Sequence, residues 1–162
     1  PFSGTGSQFS GLYIINISSD FKPYFLPNAS LSNCFKNCPS FNSDISGWDV
    51  SNVTTMESMF KNCTFFNSDI SGWDTSNVTT MNSMFEAADS FNKNISRWDV
   101  SNVTSLNNMF YEAAEFNNGE SYGGGTSPLN WKFNITPTHV NWRRFSGLTI
   151  NNAKTEPQLS LF

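Results

Sequence analysis

The segment FNSDISGWDVSNVTTMESMFKNCTF, residues 41–65, decides the fold, because two close copies of it follow at residues 66–90 and 91–115. Trp48, Trp73 and Trp98 recur at equal spacing and set the period of the repeat. A fixed period of roughly 20 to 50 residues is typical of stacked repeat arrays, in which each unit buries its apolar face against its neighbours. The spacing therefore predicts an α/β solenoid built from similar coils.

Each full repeat begins with apolar residues at spacings of three, two and three, which is close to the signature of leucine-rich repeats. In the first full repeat they are Ile45, Trp48, Val50 and Val53. Side chains alternate along a strand, so we expect Trp48 and Val50 to point inward and Asp49 to point outward. This half of the repeat is predicted to be a short parallel strand.

The second half of each repeat has apolar residues at i, i+3, i+4 and i+7, which form one face of a helix of about two turns. Thr54, followed three residues later by Glu57, has the form of a capping box and would start the helix. Each coil is thus predicted to be strand, turn, short helix and return loop. The four apolar residues in the first full repeat are Met56, Met59, Phe60 and Cys63.

The chain is predicted to be a single domain with four parts. A partial repeat in phase with the full ones begins at Leu31, and residues 12–17 are predicted to be a strand that covers the open end of the array. Extra glycines interrupt the frame after Asn117. The parts are an N-terminal lead-in and cap (1–30), the repeat solenoid (31–117), an inserted Gly-rich loop (118–127), and a degenerate last repeat with a C-terminal cap (128–162).

The composition argues against several function classes. The 162 residues carry a net charge of −4 and only 14% charged residues, so there is no basic stripe to bind nucleic acid. No apolar run approaches the roughly 18 residues that a membrane-spanning helix needs. One histidine, no nucleophile motif and no phosphate-binding loop predict a non-enzymatic protein with no metal site and no cofactor.

The sequence FNSDISGWDVSNVTTMESMF, with its W-D-V-S-N-V-T-x-M core, closely resembles the BspA-like repeat. This repeat is also known as a lipoprotein-associated domain of unknown function in mycoplasma surface proteins. The resemblance covers roughly residues 31–116, with a weaker echo to Phe145. It implies a leucine-rich-repeat-like surface or interaction protein, and it implies no catalytic role.

The repeated aspartates Asp49, Asp74 and Asp99 are expected on neighbouring strands, where like charges repel. One interpretation is that each carboxylate accepts hydrogen bonds from backbone N–H groups near Ser51 and its equivalents, as Asp does in turns. The alternative is a low-affinity Ca²⁺ site or a recognition stripe, although Ca²⁺ takes six to eight oxygens and this motif alone does not supply them. The candidate binding-surface residues are Asp49, Asp74, Asp99, Ser51, Ser76, Ser101, Arg97 and Tyr122.

Asn52, Asn77 and Asn102 occupy one position of the repeat and each begins an Asn-Val-Thr sequon. We favour a structural role, in which the amides satisfy backbone groups at the turn. The alternative is glycosylation. Outside the clear repeats, the better candidates for sugar attachment are Asn16, Asn28 and Asn134.

The repeated tryptophans are expected to pack in the core, and the alternative of a carbohydrate platform would need their faces exposed. Cys38 and Cys63 share a position that Ala88 and Ala113 fill later, which favours small buried thiols. A bridge from Cys34 to Cys38 or to Cys63 is the alternative in an oxidising compartment.

The sequence favours a non-catalytic protein-interaction or adhesion module of a surface or secreted repeat protein, located extracellularly or at the cell surface. Its partner would be another protein or a glycan, and positions that vary between repeats would carry the specificity. The alternative is an architectural subunit packed in a large assembly such as a virion or a membrane complex. Low charge and abundant aromatic residues suit that alternative as well.

Overall fold

The computed structural model of the chain describes residues 7–13 and 16–116. Within these ranges, two short strands are present: β1, Ala29–Ser30, and β2, Val53–Thr55. They pair in parallel, with Ala29 opposite Val53 and Ser30 opposite Thr55, and the register is irregular between the two residues of β1. Parallel bridges continue the ladder from Thr55 to Thr80 and from Thr80 to Ser105. The same position of successive repeats therefore lies side by side.

Backbone hydrogen bonds between successive repeats extend well beyond the two strands. In the partial repeat, Asn33 N–H donates to Glu57 C=O of the next repeat at 2.8 Å. The equivalent bonds further along the array, also at 2.8 Å, run from Ser58 N–H to Asn82 C=O and from Ser83 N–H to Asn107 C=O. Each repeat thus satisfies its backbone against the next one, as stacked coils must.

The predicted helix at residues 56–63 is wrong, since the described residues contain two strands, turns and bends but no helix. Met59 N–H donates to Met56 C=O at 3.2 Å, and Cys63 N–H donates to Phe60 C=O at 3.0 Å, so two β-turns follow each other. Ser58 and Asn62, the third residues of these turns, have φ of 53° and 60°. A helix needs φ near −63°, and positive φ at the third residue is the feature of type II turns.

These two turns still place all the apolar residues of the helical pattern inside. Met56, Met59, Phe60 and Cys63 are fully buried. Thr54 does not cap a helix; its hydroxyl donates to Ala29 C=O of β1 at 3.4 Å. The positive φ recurs at both positions in every repeat, at Asn33, Asn37, Ser58, Asn62, Ser83, Ala87, Asn108 and Glu112.

The predicted strand around Trp48 lies too early in the repeat. The inward and outward alternation is confirmed, because Trp48 and Val50 are buried and Asp49 is exposed. The strand itself, however, is β2 at Val53–Thr55. Val53 N–H donates to Val50 C=O at 2.8 Å, and this turn bends the backbone between the tryptophan and the ladder.

Two columns of phenylalanine rings run through the core. The first column runs through Phe35, Phe60, Phe85 and Phe110 with centroids 5.6–5.7 Å apart, and the second runs through Phe41, Phe66, Phe91 and Phe116 at 5.7 Å. Where one repeat joins the next, a ring of the first column stacks on a ring of the second at 3.9–4.0 Å. Each aromatic pair contributes about 0.5–1.5 kcal/mol beyond its area burial. Both columns run across successive repeats, so the core is continuous along the array.

The first coil is covered by residues 9–11, which precede the segment predicted to cover it. Phe9 N–H donates to Cys34 C=O at 3.0 Å, Gly11 N–H donates to Lys36 C=O at 2.8 Å, and the Phe9 ring stacks on Phe35 at 5.4 Å. In the segment predicted as a covering strand, residues 12, 13, 16 and 17 are not in a strand, and residues 14 and 15 lie outside the described residues. Residues 9–11 therefore cover the first coil, a role that was predicted for residues 12–17.

The predicted Gly-rich loop (118–127) and the predicted last repeat and C-terminal cap (128–162) also lie outside the described residues. The described residues contain no candidate for a membrane-spanning helix. The solenoid architecture stays a prediction. The hydrogen bonds that recur between repeats and the two columns of phenylalanine rings are consistent with it.

Candidate binding face

Asp49, Asp74 and Asp99 hold the same turn in three successive repeats. The Oδ1 atom of each accepts the N–H of the serine two residues later, at 3.1 Å for Ser51, 3.0 Å for Ser76 and 2.9 Å for Ser101. The hydroxyls of Ser51 and Ser76 donate to the same oxygens at 2.6 Å. The prediction that these carboxylates accept backbone N–H groups is confirmed.

A second column of the same turn lies five residues earlier in each repeat, and the sequence analysis missed it. Asp44 accepts the N–H of Ser46 at 2.9 Å, Asp69 accepts that of Ser71 at 3.0 Å, and Asn94 accepts that of Ser96 at 3.1 Å. The spacing of Asp-Ile-Ser repeats that of Asp-Val-Ser, and this was the available signal. We name the surface formed by both columns the acidic face; its residues are 44–51, 69–76 and 94–101.

Hydrogen bonding lowers the pKa of several carboxylates of the acidic face. The Ser51 and Ser76 hydroxyls, and then their backbone N–H groups, lower the pKa of Asp49 and Asp74 from the ordinary value. The backbone N–H and the hydroxyl of Ser71 lower the pKa of Asp69 in the same way. The charge of Asp49 acts in the opposite direction on the pKa of Asp74, because the two repeats bring like charges close together.

No carboxylate of the acidic face is in an ion pair with another described residue. Among residues 7–13 and 16–116, the one ion pair joins Lys61 and Glu86 at 2.7 Å, outside this face. Both bonds from Ser76 end on Oδ1 of Asp74, which leaves Oδ2 of Asp74 without a donor among the described residues. That oxygen is available to a partner.

The asparagine position is used by the backbone, as predicted. The side-chain amide of Asn52 donates to Phe25 C=O at 3.1 Å, and those of Asn77 and Asn102 donate to the carbonyl oxygens of Ser51 and Ser76 at 2.8 and 2.7 Å. The amides of Asn77 and Asn102 therefore tie one repeat to the preceding one, and the amide of Asn52 ties the first full repeat to the segment before the repeats. Asn16 and Asn28 are exposed, Asn134 lies outside the described residues, and sugar attachment at these three stays a prediction.

The repeated tryptophans belong to the core, so they form no carbohydrate platform. Trp48, Trp73 and Trp98 are 5%, 4% and 3% exposed, and the rings of Trp73 and Trp98 stack at 6.4 Å. The indole N–H groups of these two donate to Ile45 C=O at 3.2 Å and to Ile70 C=O at 3.0 Å. Trp48 Nε1, in the first full repeat, is buried and has no acceptor among the described residues. The candidate Tyr122 lies outside those residues.

With this geometry in view, comparison with known protein families gives a match over residues 29–124 to the family described as "Mycoplasma protein of unknown function, DUF285". The chain belongs to this family. The matched residues cover more than half of the chain and include the three full repeats. Comparison with curated proteins and with solved structures finds no match.

The DUF285 match is compatible with the resemblance to BspA-like surface repeat proteins, and the family description assigns no activity. The matched range begins at Ala29, the first residue of β1, and so includes the partial repeat that precedes the three full ones. It also continues past Phe116, the last described residue. The acidic face is the feature of the described residues that indicates a function.

The cysteines of this DUF285 chain are buried free thiols, so neither candidate bridge is present. Cys63 Sγ donates to Phe35 C=O and Cys38 Sγ donates to Phe9 C=O, both at 2.8 Å. Burial raises the pKa of Cys34 and Cys63 to about 12. The prediction of small buried thiols at this position is confirmed.

The calcium alternative for the aspartate columns gains no support from the geometry. Within the described residues, no group of three or more His, Cys, Asp or Glu side chains is placed to hold a metal ion. One oxygen of each of Asp49 and Asp74 is already engaged by the following serine. The recognition alternative is the one that the acidic face can serve.

Proposed function

We propose that this chain is a non-catalytic protein-interaction module of a surface or secreted repeat protein, and that the acidic face is where it contacts its partner. The single observation that carries the proposal is the arrangement of carboxylates on that face. They recur in the same orientation in successive repeats, they are exposed, and they are held by local hydrogen bonds instead of by ion pairs with other described residues.

The solenoid architecture is part of this proposal, with coils made of turns and short bridges in place of the predicted helix. It is supported by backbone hydrogen bonds that recur at equivalent positions of successive repeats and by two ring columns that continue across repeats. Such an array positions equivalent side chains at a regular spacing along one surface. Solenoids use extended surfaces of this kind for binding.

A rigid charged surface suits recognition of another protein. The serine bonds fix the carboxylates before binding, so less side-chain entropy is lost when a partner arrives. Complementary charge then guides the encounter and sets the orientation of the partner. We favour a protein over a glycan because the repeated tryptophans, which would stack on sugar rings, are buried.

A second candidate is an architectural subunit of a large assembly, and one observation favours it. Several large apolar side chains near the N-terminal end are exposed, and Phe65 in the first full repeat is 64% exposed. Exposed apolar area of this kind suits a chain packed against neighbours. The exposed residues near the N-terminal end are Leu12, Tyr13, Phe21, Tyr24 and Leu26.

Photo-crosslinking separates the two candidates. We would place benzoylphenylalanine at Ser76, on the acidic face, and in a second variant at Phe65, outside it, and irradiate each variant in the presence of surface extracts from the source cell. An interaction module gives one defined adduct from position 76 and none from position 65. Adducts of equal yield from both positions would favour the assembly, and no adduct from position 76 would contradict the interaction module.

The nature of the adduct tests the kind of partner. An adduct that protease digestion reduces to a short peptide joined to the label indicates a protein. An adduct that resists protease and is shortened by glycosidase would indicate a glycan and would contradict our choice. Size-exclusion chromatography with light scattering adds an independent check, because a monodisperse monomer counts against the architectural subunit.

A further inference from the structure

Three large apolar side chains are exposed in the segment that precedes the repeats. Phe21, Tyr24 and Leu26 are 40%, 63% and 43% exposed, whereas Pro23 and Phe25, which alternate with them, are buried. The buried pair packs into the protein, so Tyr24 and Leu26 are not needed for its core. We call Phe21, Tyr24 and Leu26 the apolar patch.

The apolar patch begins a column that aspartates continue. Tyr24 stands one repeat period before Asp49. Residues 21–25 and 46–50 also show the same order of exposed and buried side chains, so Tyr24 and Asp49 face the same side of their stretches. A large apolar side chain therefore stands where each full repeat has a carboxylate.

Several contacts join the patch segment to the first full repeat. The side-chain amide of Asn52 donates to Phe25 C=O at 3.1 Å. The rings of Phe21 and Phe25 lie against Trp48, with centroids 6.3 and 5.8 Å away. The apolar patch is therefore continuous with the acidic face at its N-terminal edge.

The patch segment borders the acidic face without covering its second repeat. The side chain of Lys22 occupies the place that a Cβ at Gly47 would take, and its Nζ atom donates to Ser19 C=O at 2.8 Å. Over Gly72, no atom of the described residues lies within 4 Å of the same place. A partner can therefore extend from the patch onto the later repeats.

The aspartate column that continues from Tyr24 has no cation beside its first two members. The pKa of Asp49 is lowered by the hydroxyl and the N–H of Ser51, and that of Asp74 by the same groups of Ser76, with no contribution from a cation of the described residues. In the other column, cations contribute to the lowered pKa after the serine bonds; they are Lys22 for Asp44 and Lys93 for Asp69.

We propose that the apolar patch receives an aromatic or aliphatic side chain of the protein partner, and that basic residues on the same extended segment lie along Asp49 and Asp74. This inference rests on the proposed function, because it names the chemistry that the partner must bring to the acidic face. It also gives the segment a direction, with its apolar end at the N-terminal edge of the face.

The two parts of this surface contribute differently to binding. Burial of apolar area supplies affinity that water does not screen, and an exposed apolar patch rimmed by polar residues is typical of protein interaction sites. Exposed ion pairs contribute little affinity, but complementary charge sets the orientation of the partner. An anionic lipid surface fits less well, because the neighbouring aspartates would repel its headgroups.

The probe is a capped peptide, Trp-Gly-Lys-Gly-Lys, titrated into the uniformly ¹⁵N-labelled full chain and followed by amide chemical shifts. An extended peptide rises about 3.3 Å per residue and neighbouring strands lie about 4.8 Å apart, so this length spans the patch and the first two aspartates of the column. Two control peptides each remove one part: alanine replaces the tryptophan in one, and glutamine replaces both lysines in the other.

We expect the parent peptide to shift amides of residues 20–27, 46–51 and 71–76 most strongly. Each control peptide should bind at least about fivefold more weakly, which is the usual effect of removing one important contact. Either control binding as tightly as the parent would overturn the proposal, since it requires the apolar and the basic part together.

Two exposed aromatic residues provide a matched pair of variants. Tyr24 is 63% exposed and Phe65, outside the acidic face, is 64% exposed. We expect Tyr24→Ser to weaken binding of the parent peptide at least about fivefold and to leave binding of the alanine peptide unchanged, because that peptide has no ring to place on the patch. Phe65→Ser should change neither. Equal effects of the two variants would contradict the assignment.

Asp49→Asn tests the basic part of the proposal. It removes the charge and keeps an acceptor for Ser51, so it should weaken the parent peptide and leave the glutamine peptide unchanged. Asp89→Asn makes the same change in net charge at an exposed site outside the acidic face and should affect neither peptide. Equal weakening of the parent peptide by both variants would mean that only net charge matters.

Other occupants of the patch give different results in the free chain. A dimer in light scattering that Tyr24→Ser dissociates would assign the patch to a second copy. Co-sedimentation with phosphatidylcholine–phosphatidylglycerol vesicles that the same variant abolishes would assign it to a membrane. Amide shifts outside residues 7–116 on the same substitution would assign it to the chain itself. Each of these results would overturn the proposal.

The photo-crosslinking at position 76 separates this inference from the proposed function. With Tyr24→Ser added, the yield of the adduct should fall at least about fivefold, and with Phe65→Ser added it should stay the same. No adduct in either background or in the parent would contradict the interaction module. An adduct of unchanged yield with Tyr24→Ser would keep the interaction module and overturn the role of the apolar patch.

Discussion

The turns at residues 56–63 and the turns of the acidic face at residues 44–51 have opposite consequences for the molecule. In the first, backbone N–H groups donate to the next repeat, and the side chains of Met56 and Phe60 are fully buried. In the second, Asp44 and Asp49 satisfy nearby N–H groups themselves and stay exposed. Stability is concentrated on one side of the coil, which leaves the other side free to carry charge.

Removing one ring from the buried side should have the largest effect. Phe60→Ala deletes a ring that stacks on Phe35, Phe66 and Phe85. We expect a loss of about 3–5 kcal/mol in the free energy of unfolding, because the substitution leaves a cavity in a continuous core. Urea unfolding followed by tryptophan fluorescence measures it. The matched control is Phe65→Ala, an exposed phenylalanine in the same repeat, with an expected change within about 0.5 kcal/mol.

The reactivity of the buried thiols also tests how stably the buried side of the coil is packed. With the pKa of Cys34 and Cys63 raised to about 12 by burial, their thiolate fraction at pH 8 should be about 10³-fold below that of an ordinary cysteine. Alkylation by iodoacetamide should therefore be slow in the folded chain and fast in urea. Intact mass against time records the difference. Fast labelling of Cys63 in the folded chain would mean that the turns at residues 56–63 open readily.

Ala87→Gly distinguishes a turn from a helix at this position. Ala87 has φ of 53°, which costs an L-residue about 1–2 kcal/mol, so glycine should stabilise the chain by about 0.5–1 kcal/mol. In a helix the same change would cost about 1 kcal/mol. Thermal and urea unfolding give the sign directly.

The neighbouring Ala88→Gly variant is the control for Ala87→Gly. Ala88 is buried and has no positive φ, so its replacement should destabilise the chain under either geometry. If Ala87→Gly loses stability to the same degree as Ala88→Gly, the two-turn description of this segment is wrong.

The smallest expected effect comes from the acidic face and depends on pH. The pKa of Asp49, Asp69 and Asp74 is lower in the folded chain, so the unfolded chain binds more protons in acid. Their contribution is fully present above the ordinary aspartate pKa near 4 and is lost as the pH falls through the lowered folded values. Because these groups are exposed, the total should be about 1 kcal/mol or less.

Asp69→Asn removes the acid-sensitive contribution of one carboxylate to the free energy of unfolding. Asparagine keeps the acceptor, as Asn94 does at the equivalent position by accepting the N–H and the hydroxyl of Ser96 at 3.1 and 2.7 Å. We expect stability near that of the wild type at pH 7 and a shallower loss between pH 4 and pH 2. Urea midpoints across this range measure the slope. An unchanged slope would show that Ser71 does not favour the charged form of Asp69.

The period, the buried positions and the role of the asparagines were predictable because the sequence repeats them three times. The two β-turns at residues 56–63 were not predictable. Two consecutive β-turns can bury residues at i, i+3, i+4 and i+7 just as a helix does. The relevant signal was weak. Asparagine, which tolerates positive φ, stands at 33, 37, 62 and 108, but serine, alanine or glutamate fills the other equivalent positions.

The candidate site was predicted in part. Asp49, Asp74 and Asp99 were found from their repetition, whereas Asp44 and Asp69 were missed because Asn94 breaks that column in the third repeat. The difference between Gly47 and Gly72 was not predictable, since it depends on Lys22 reaching over from a segment that precedes the repeats. Contacts between a repeat and a non-repeated segment leave no periodic trace in the sequence.

The constant hydrogen-bond pattern between repeats has an evolutionary consequence. Because every unit meets its neighbour through the same donors and acceptors, duplication or loss of one whole unit would leave each junction chemically identical to those already there. Insertion of a fraction of a unit would misalign the phenylalanine columns and the carbonyl partners together. Related chains can therefore lengthen or shorten by recombination in whole units, and the number of carboxylates offered to a partner would change in the same steps.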